Sequence, residues 1–313
     1  MHLLKSIFRF SLRFVLPLVL VWLIFSRLNG DWKWEDAAIK NVSYLVLTVL
    51  LWPLNWLIES IKWWLLTAHS LRSLKQCLID VLVGQYFGLV TPNRLGEGPG
   101  RMNSSVAGSR SRDLFAFGNS SIAQMLTTLI AGSIALVLVA SYVYPSENFW
   151  WQIAFPLRWP IWAATLVLLL FYIEPGWSHI LRESVNADGW LGKKLAGLQR
   201  YNRRENGRTL FLSLARYLVF STQFICVLMA FGFEGDTTEL LIRIALVYLG
   251  STIVPSFALA ELGVRESLAV ILLPAAGIDP AVAFIATLLV WIINILLPSI
   301  AGMVLFFRSR KLS

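Results

Sequence analysis

Six stretches of this 313-residue chain are mostly apolar over about the length that a helix needs to cross the hydrocarbon core of a bilayer, roughly 20 residues. They fall at about 10–27, 43–66, 114–141, 159–173, 210–232 and 280–307. No other feature limits the fold as tightly. Backbone surrounded by lipid must satisfy its own hydrogen bonds, and apolar runs of this length without strict alternation do so as helices. Composition agrees: 57% of residues are hydrophobic and 14% are charged, where a soluble domain carries about 25% charged. A soluble body with so few charges could not cover its apolar surface. A soluble enzyme, a disordered chain and a nucleic-acid-binding module are therefore excluded. Cys77 and Cys226 both lie in apolar runs and are too few for a disulfide framework or a cysteine-rich metal site.

The first run follows Lys5, Arg9 and Arg13, as a signal peptide would, but its exit (SRLNGDW) offers no small-x-small cleavage site. It is read as a retained span. Trp32/Trp34, Trp63/Trp64, Trp150/Trp151 and Trp159 fall where apolar runs meet polar loops, the positions of an interfacial belt.

Two further apolar stretches, 77–92 and 239–256, are short, carry a charge and end at a proline. If each enters the membrane and turns back, six spans remain and both termini share one side. The cations then divide 20 to four between the two sides, with Arg216, Arg243 and Arg265 at membrane depth. That excess places both termini in the cytoplasm. A full crossing by 77–92 would put Arg94, Arg101, Arg110 and Arg112 outside, against the same rule. For 239–278 a pair of short spans is the alternative to re-entry. The predicted fold is an all-α polytopic membrane protein with six to eight transmembrane helices and two re-entrant units. It forms one domain, 1–313, with pseudo-repeats 1–141 and 159–313. Three crossings per half would invert the second half relative to the first, the plan that brings broken helices to a shared midplane site in secondary transporters.

Each short stretch runs into a motif rich in helix breakers and charge. The first reads Thr91-Pro92-Asn93-Arg94-Leu95-Gly96-Glu97-Gly98-Pro99-Gly100-Arg101, and the second Pro255-Ser256-Phe257-Ala258-Leu259-Ala260-Glu261-Leu262-Gly263-Val264-Arg265-Glu266. Pro92, Gly96, Pro255 and Gly263 are expected to break the helix and free backbone groups. Arginine offers a planar fork of donors matched to phosphate oxygens, and glutamate can hold that arginine or bind an amine. Ionisable residues inside a membrane are costly and point to function. The expected head-group-binding residues are therefore Arg94, Glu97, Arg101, Glu261, Arg265 and Glu266. The Gly96-x-Gly98-x-Gly100 run lacks the Lys-Ser/Thr ending of a phosphate-binding loop.

These residues carry a resemblance. Pro92, Arg94, Gly96, Glu97 and Arg101, followed by Pro255 and Leu262 to Glu266, resemble the motif pair of the lysylphosphatidylglycerol synthase transmembrane-region family. That family includes the flippase-like domain of the multiple peptide resistance factor. The resemblance covers most of the chain and implies a polytopic helical domain that moves a lipid with a charged head group between leaflets. Ala260-Glu261 stand where the family usually has glycines, and the added carboxylate bears on head-group preference. With no soluble domain after Ser313, synthase activity is not expected.

His2, His69 and His179 are scattered, so no metal site or cofactor is expected. Glu59 and Lys62, three apart on the second span, read as an interfacial ion pair beside Trp63. Asp80 has no histidine partner in the sequence. Asn119, Gln124, Gln223 and Asn294 lie in spans, where hydrogen bonding between helices is their usual role. The expected function is a lipid flippase of the plasma membrane, not an enzyme, whose partners are membrane lipids and a phospholipid head group. The alternative is an accessory subunit that presents a lipid-linked substrate to a separate glycosyl- or aminoacyl-transferase.

Overall fold

The computed structural model describes residues 37–68, 71–91, 94–105, 109–142, 149–174, 201–254 and 258–311. The expected first span, 10–27, lies outside them, as do Pro92 and Pro255. Every element among the described residues is helical. In chain order these are α1 (Val42–Leu66), α2 (Leu74–Val90), α3 (Glu97–Arg101), α4 (Arg110–Tyr142) and α5 (Phe149–Ile173). They continue as α6 (Arg203–Ala230), α7 (Thr237–Ile253), α8 (Ala258–Leu272), α9 (Pro280–Trp291) and α10 (Leu297–Lys311). A π-helical turn, Ile292–Leu296, joins α9 to α10 as one rod. Among the described residues, five helices are long and apolar enough to cross a membrane: α1, α4, α5, α6 and the α9–α10 rod. They match the expected spans at 43–66, 114–141, 159–173, 210–232 and 280–307.

Local chemistry sets the helix starts. Ser73 and Gln76 form a reciprocal capping box at α2, and Asn202 and Glu205 form one at α6. Asp236 and Asp279 accept from the first backbone amides of α7 and α9, and Pro280 supplies a preset first helical residue. The π turn has a cause in sequence. Pro298 cannot donate to the carbonyl of Asn294, and the extra residue in the ladder absorbs the break.

Helices α2 and α7 are 17 residues each. Each begins a pair of shorter helices between longer ones. Helix α2 packs on α10, α7 packs on α4, and α1 lies along α6. Between lipid-facing helices there is no hydrophobic driving force, so close approach and polar bridges hold the bundle. Gly302 lets α10 approach α2 so closely that an added Cβ would stand 1.9 Å from the Leu82 carbonyl oxygen. Gly132 does the same for α4 against α7, where the neighbour is the Leu249 side chain at 2.5 Å. Asn119 donates to Asn206 at 3.2 Å, Asn206 to the Tyr172 carbonyl at 2.7 Å, and Gln223 to the Thr48 carbonyl at 3.0 Å. Asn119 and Gln223 thus take the bridging role expected of them. Arg72 ties α2 to α4 by pairing with both Asp80 and Asp113.

Trp63, expected in the interfacial belt, is instead fully buried. Its ring packs 5.6 Å from the Arg101 guanidinium and 5.9 Å from that of Arg72, which draws it inward. Trp64 and Trp159 face outward.

The two glycines make unequal predictions. At Gly302 an added methyl meets the Leu82 backbone at 1.9 Å, and at Gly132 it meets the Leu249 Cβ at 2.5 Å, which side-chain rotation cannot move; both require the helices to part, Gly302 by more. Gly302→Ala is expected to cost about 1–3 kcal/mol and Gly132→Ala less. Thermal unfolding of both variants in detergent, compared with the parent chain, reads the order.

Candidate functional site

The helix break at 91–96 is where the first motif acquires its geometry. Thr91 Oγ1 accepts from the Gly96 amide at 2.8 Å, which folds the chain back onto the end of α2. A Cβ at Gly96 would lie 2.7 Å from the Phe87 carbonyl oxygen, so a larger residue would not fit. Gly84 and Gly100 also meet face to face, a Cβ on Gly100 coming within 2.8 Å of the Gly84 Cα. Helix α3 thereby seats Glu97 and Arg101 directly against α2.

Arg94 holds a left-handed φ of 54°. For a non-glycine residue that costs on the order of 1–3 kcal/mol and persists where the surroundings enforce it. Its guanidinium is fixed by Glu97 Oε2 at 2.9 Å and Gln85 Oε1 at 2.7 Å.

From there a continuous polar chain crosses the protein. Glu97 Oε1 accepts from Arg101 at 2.8 Å, and Arg101 donates to Glu59 Oε1 at 2.7 Å. Glu59 Oε2 pairs with Lys62 at 2.9 Å and Arg216 at 3.0 Å. Arg216 also donates to Asn55, and Asn55 donates to Asn294 in the π turn at 2.7 Å. Helices α1, α3 and α6 are thus linked by charge-assisted bonds, about twice as strong as neutral ones, and the neutral Asn55–Asn294 bond adds the α9–α10 rod.

All of these side chains except Asn55 line a cavity of about 520 Å³. Among the described residues, its charged lining side chains are Lys62, Arg94, Arg101, Arg216 and Arg265 against Glu59 and Glu97, three more cations than carboxylates. Arg265 enters from α8, its guanidinium 6.0 Å from the Tyr248 ring. The two motifs, 164 positions apart from Arg101 to Arg265, therefore reach one space.

Of the expected site residues, Arg94, Glu97, Arg101 and Arg265 line the cavity. Glu266 is buried at 4% exposure but is not among the lining residues. The side chain of Glu261 lies outside the described residues. Gly96 stands at the break, whereas Gly263 lies inside the unbroken helix α8 and ends nothing.

Glu59 and Lys62 correct the sequence reading. They are a pair, but each is 1% exposed and both face the cavity rather than the interface. Arg216 was placed at membrane depth without a role. An ionisable residue inside a span was the signal that could have found it, and Glu59 as well. Asp80, by contrast, belongs to the Arg72 tie and to Ser104 at 2.6 Å, away from the cavity. No group of His, Cys, Asp and Glu among the described residues could hold a metal ion.

Glu59 neutralises three buried or half-buried cations at once. Removing one partner of a buried ion pair strands the others, at a cost of about 3–5 kcal/mol. Glu59→Gln is expected to lower the thermal midpoint in detergent well beyond Arg94→Gln, whose side chain is 31% exposed. Equal shifts would deny Glu59 this central place.

Comparison with known proteins adds one result. No curated protein and no solved structure matches the chain at a significant level. The model of the family described as the lysylphosphatidylglycerol synthase TM region matches residues 10–302, which include both motifs and every cavity-lining residue. A chain matched over nearly its whole length belongs to that family: this is a membrane protein of the lysylphosphatidylglycerol synthase transmembrane-region family.

Proposed function

We propose that this protein is a lipid translocase that moves an anionic phospholipid between leaflets, binding its phosphate in the cationic cavity. The single observation that carries the reading is the charge of the cavity. Five cations face two carboxylates in a space large enough for a head group. Arg216 uses Nε on Asn55 and Nη1 on Glu59, which leaves Nη2 for a ligand. Glu59 and Glu97 each pair with two or more cations, so their role is to hold arginines in place rather than to bind an amine.

The order of elements supports an alternating-access mechanism. Long helix, two short helices and long helix recur as α1 to α4 and as α6 to α10. The first short helix of each group packs on the last span of the other group. We read the short pairs as re-entrant units of an inverted repeat, with pseudo-repeats 1–141 and 159–313. Both termini would then be cytoplasmic, in the plasma membrane. Rocking of one half against the other around a fixed cationic site would present the phosphate to each leaflet in turn.

Purified protein in liposomes is expected to accelerate leaflet exchange of a fluorescent anionic phospholipid. Arg216→Ala should slow that exchange roughly tenfold or more, the loss of a charge-assisted hydrogen bond worth ~1.5–3 kcal/mol. Arg203→Ala, which removes an exposed pair with Glu174, should leave it unchanged. Exchange no faster than in protein-free liposomes would overturn the reading, and co-purification with a lipid-modifying transferase would then favour the accessory subunit.

A further inference from the structure

The seam between α1 and α6 holds a second hollow, on the outer face of the bundle. The two helices run antiparallel, since Lys62 bonds Ser213 near one end of the seam and Gln223 bonds Thr48 further along. About 440 Å³ of space opens beside the Lys62 end, and no described residue lines both this hollow and the ion-pair cavity. Ile61 and Leu65 of α1 and Phe211 of α6 give it apolar walls. Leu65 is 38% and Phe211 68% exposed, so the hollow faces the surroundings of the bundle. Arg204 and Arg208 stand at its rim, both exposed and one turn apart on the same face of α6.

The protein gives these two arginines no counter-charge. Glu174 pairs with Arg203, and Glu205 closes the capping box with Asn202. Neither Arg204 nor Arg208 forms an ion pair or hydrogen bond among the described residues. Like charges four apart on a helix repel, and Arg204 stands in the opening turn, where the helix dipole is already positive. An arrangement that is unfavourable in the bare helix becomes favourable beside an anion.

Gly207, between the two arginines, also lines the hollow. It lies inside α6, where alanine is the better helix former. A Cβ built on it would meet nothing within 4 Å, so no packing within the protein calls for glycine there. Its missing side chain instead leaves the floor of the hollow open.

The arginines precede the apolar part of α6, about 210–232, whereas Phe211, Leu65 and Ile61 lie along the apolar runs. Their charged heads therefore reach the head-group layer, with the stems along the apolar walls. Unpaired cations at that level, above a groove between two spans, match a lipid phosphate above its acyl chain. We propose that this hollow is a second lipid site, separate from the cavity, in which a resident anionic phospholipid sets its phosphate between Arg204 and Arg208 and lays an acyl chain against Ile61, Leu65 and Phe211. Lys62, next to Ile61, bonds Ser213 across the same seam, so this lipid braces the cavity wall from outside.

Photocrosslinking tests the site without requiring transport. The full chain is placed in phosphatidylcholine nanodiscs that contain phosphatidylglycerol with a photoreactive acyl chain, and labelled residues are read by peptide mass spectrometry. Label is expected on Leu65 and Phe211, displaced by unlabelled phosphatidylglycerol but not by added phosphatidylcholine. Arg204→Gln combined with Arg208→Gln should weaken it by about fivefold for each arginine, the worth of one cation at an anionic membrane surface. Gly207→Leu, which keeps a strong helix former and fills the floor, should abolish it without lowering the thermal midpoint in detergent. Arg94→Gln, in the cavity, should leave it in place. Equal labelling by photoreactive phosphatidylcholine would overturn the proposal. So would label that is absent from Leu65 and Phe211, that persists in both groove variants, or that disappears with Arg94→Gln. Selective label in a protein that does not speed leaflet exchange would keep this site and remove the translocase reading.

Discussion

Lys62, Arg101 and Arg216, from three different helices, share the carboxylate of Glu59, and most of the cavity's geometry follows from that arrangement. A buried cation in a low-dielectric interior is tolerable only with a counter-charge and further hydrogen bonds. Glu59 supplies the charge, while Glu97, Ser213, Asn55 and Trp63 supply much of the rest. Among the described residues the lining carboxylates are fewer than the cations, so this lining is positive, and an anion that enters completes the balance it leaves open.

The backbone makes this possible by stopping helices short. Had α2 continued as a full span, the 91–101 segment would lie at a surface, where water would screen Arg94 and Arg101. Instead the turn at Gly96 returns the chain, and the glycine contacts of α3 against α2 let Glu97 and Arg101 sit within the bundle. Broken helices inside a membrane-protein bundle are acceptable where they border a polar space rather than lipid. The π turn at Ile292–Leu296 works similarly, turning Asn294 toward Asn55 at the end of the ion-pair chain.

Much of this was legible in the sequence because lipid imposes simple rules. Five of six spans correspond to helices with ends shifted by a few residues, since length and apolarity alone set them. Arg94, Glu97, Arg101 and Arg265, which line one cavity, stood out in the sequence because proline, glycine and charge seldom occur together beside an apolar run. Glu59, Lys62 and Trp63 were misplaced for a different reason. A charge near the end of an apolar run looks the same in one dimension whether it meets water or a buried partner, and only Arg101 and Arg216, 42 and 157 positions away, decide between them. Gly263 was read as a breaker although its neighbours keep the helix intact. Gln124 and Asn294 were assigned to helix bridging, a role that Asn294 does fill, but nothing local showed that both also face a cavity.

The account therefore depends on a positive space, enclosed by helices from both motifs, that holds a lipid phosphate. An experimental structure in nanodiscs containing phosphatidylglycerol addresses this most directly. The account predicts phosphate density within hydrogen-bond reach of Arg216 and at least one of Arg94 and Arg265. An empty cavity, or lipid density confined to the outer surface with the arginines closed on their glutamates, would contradict it.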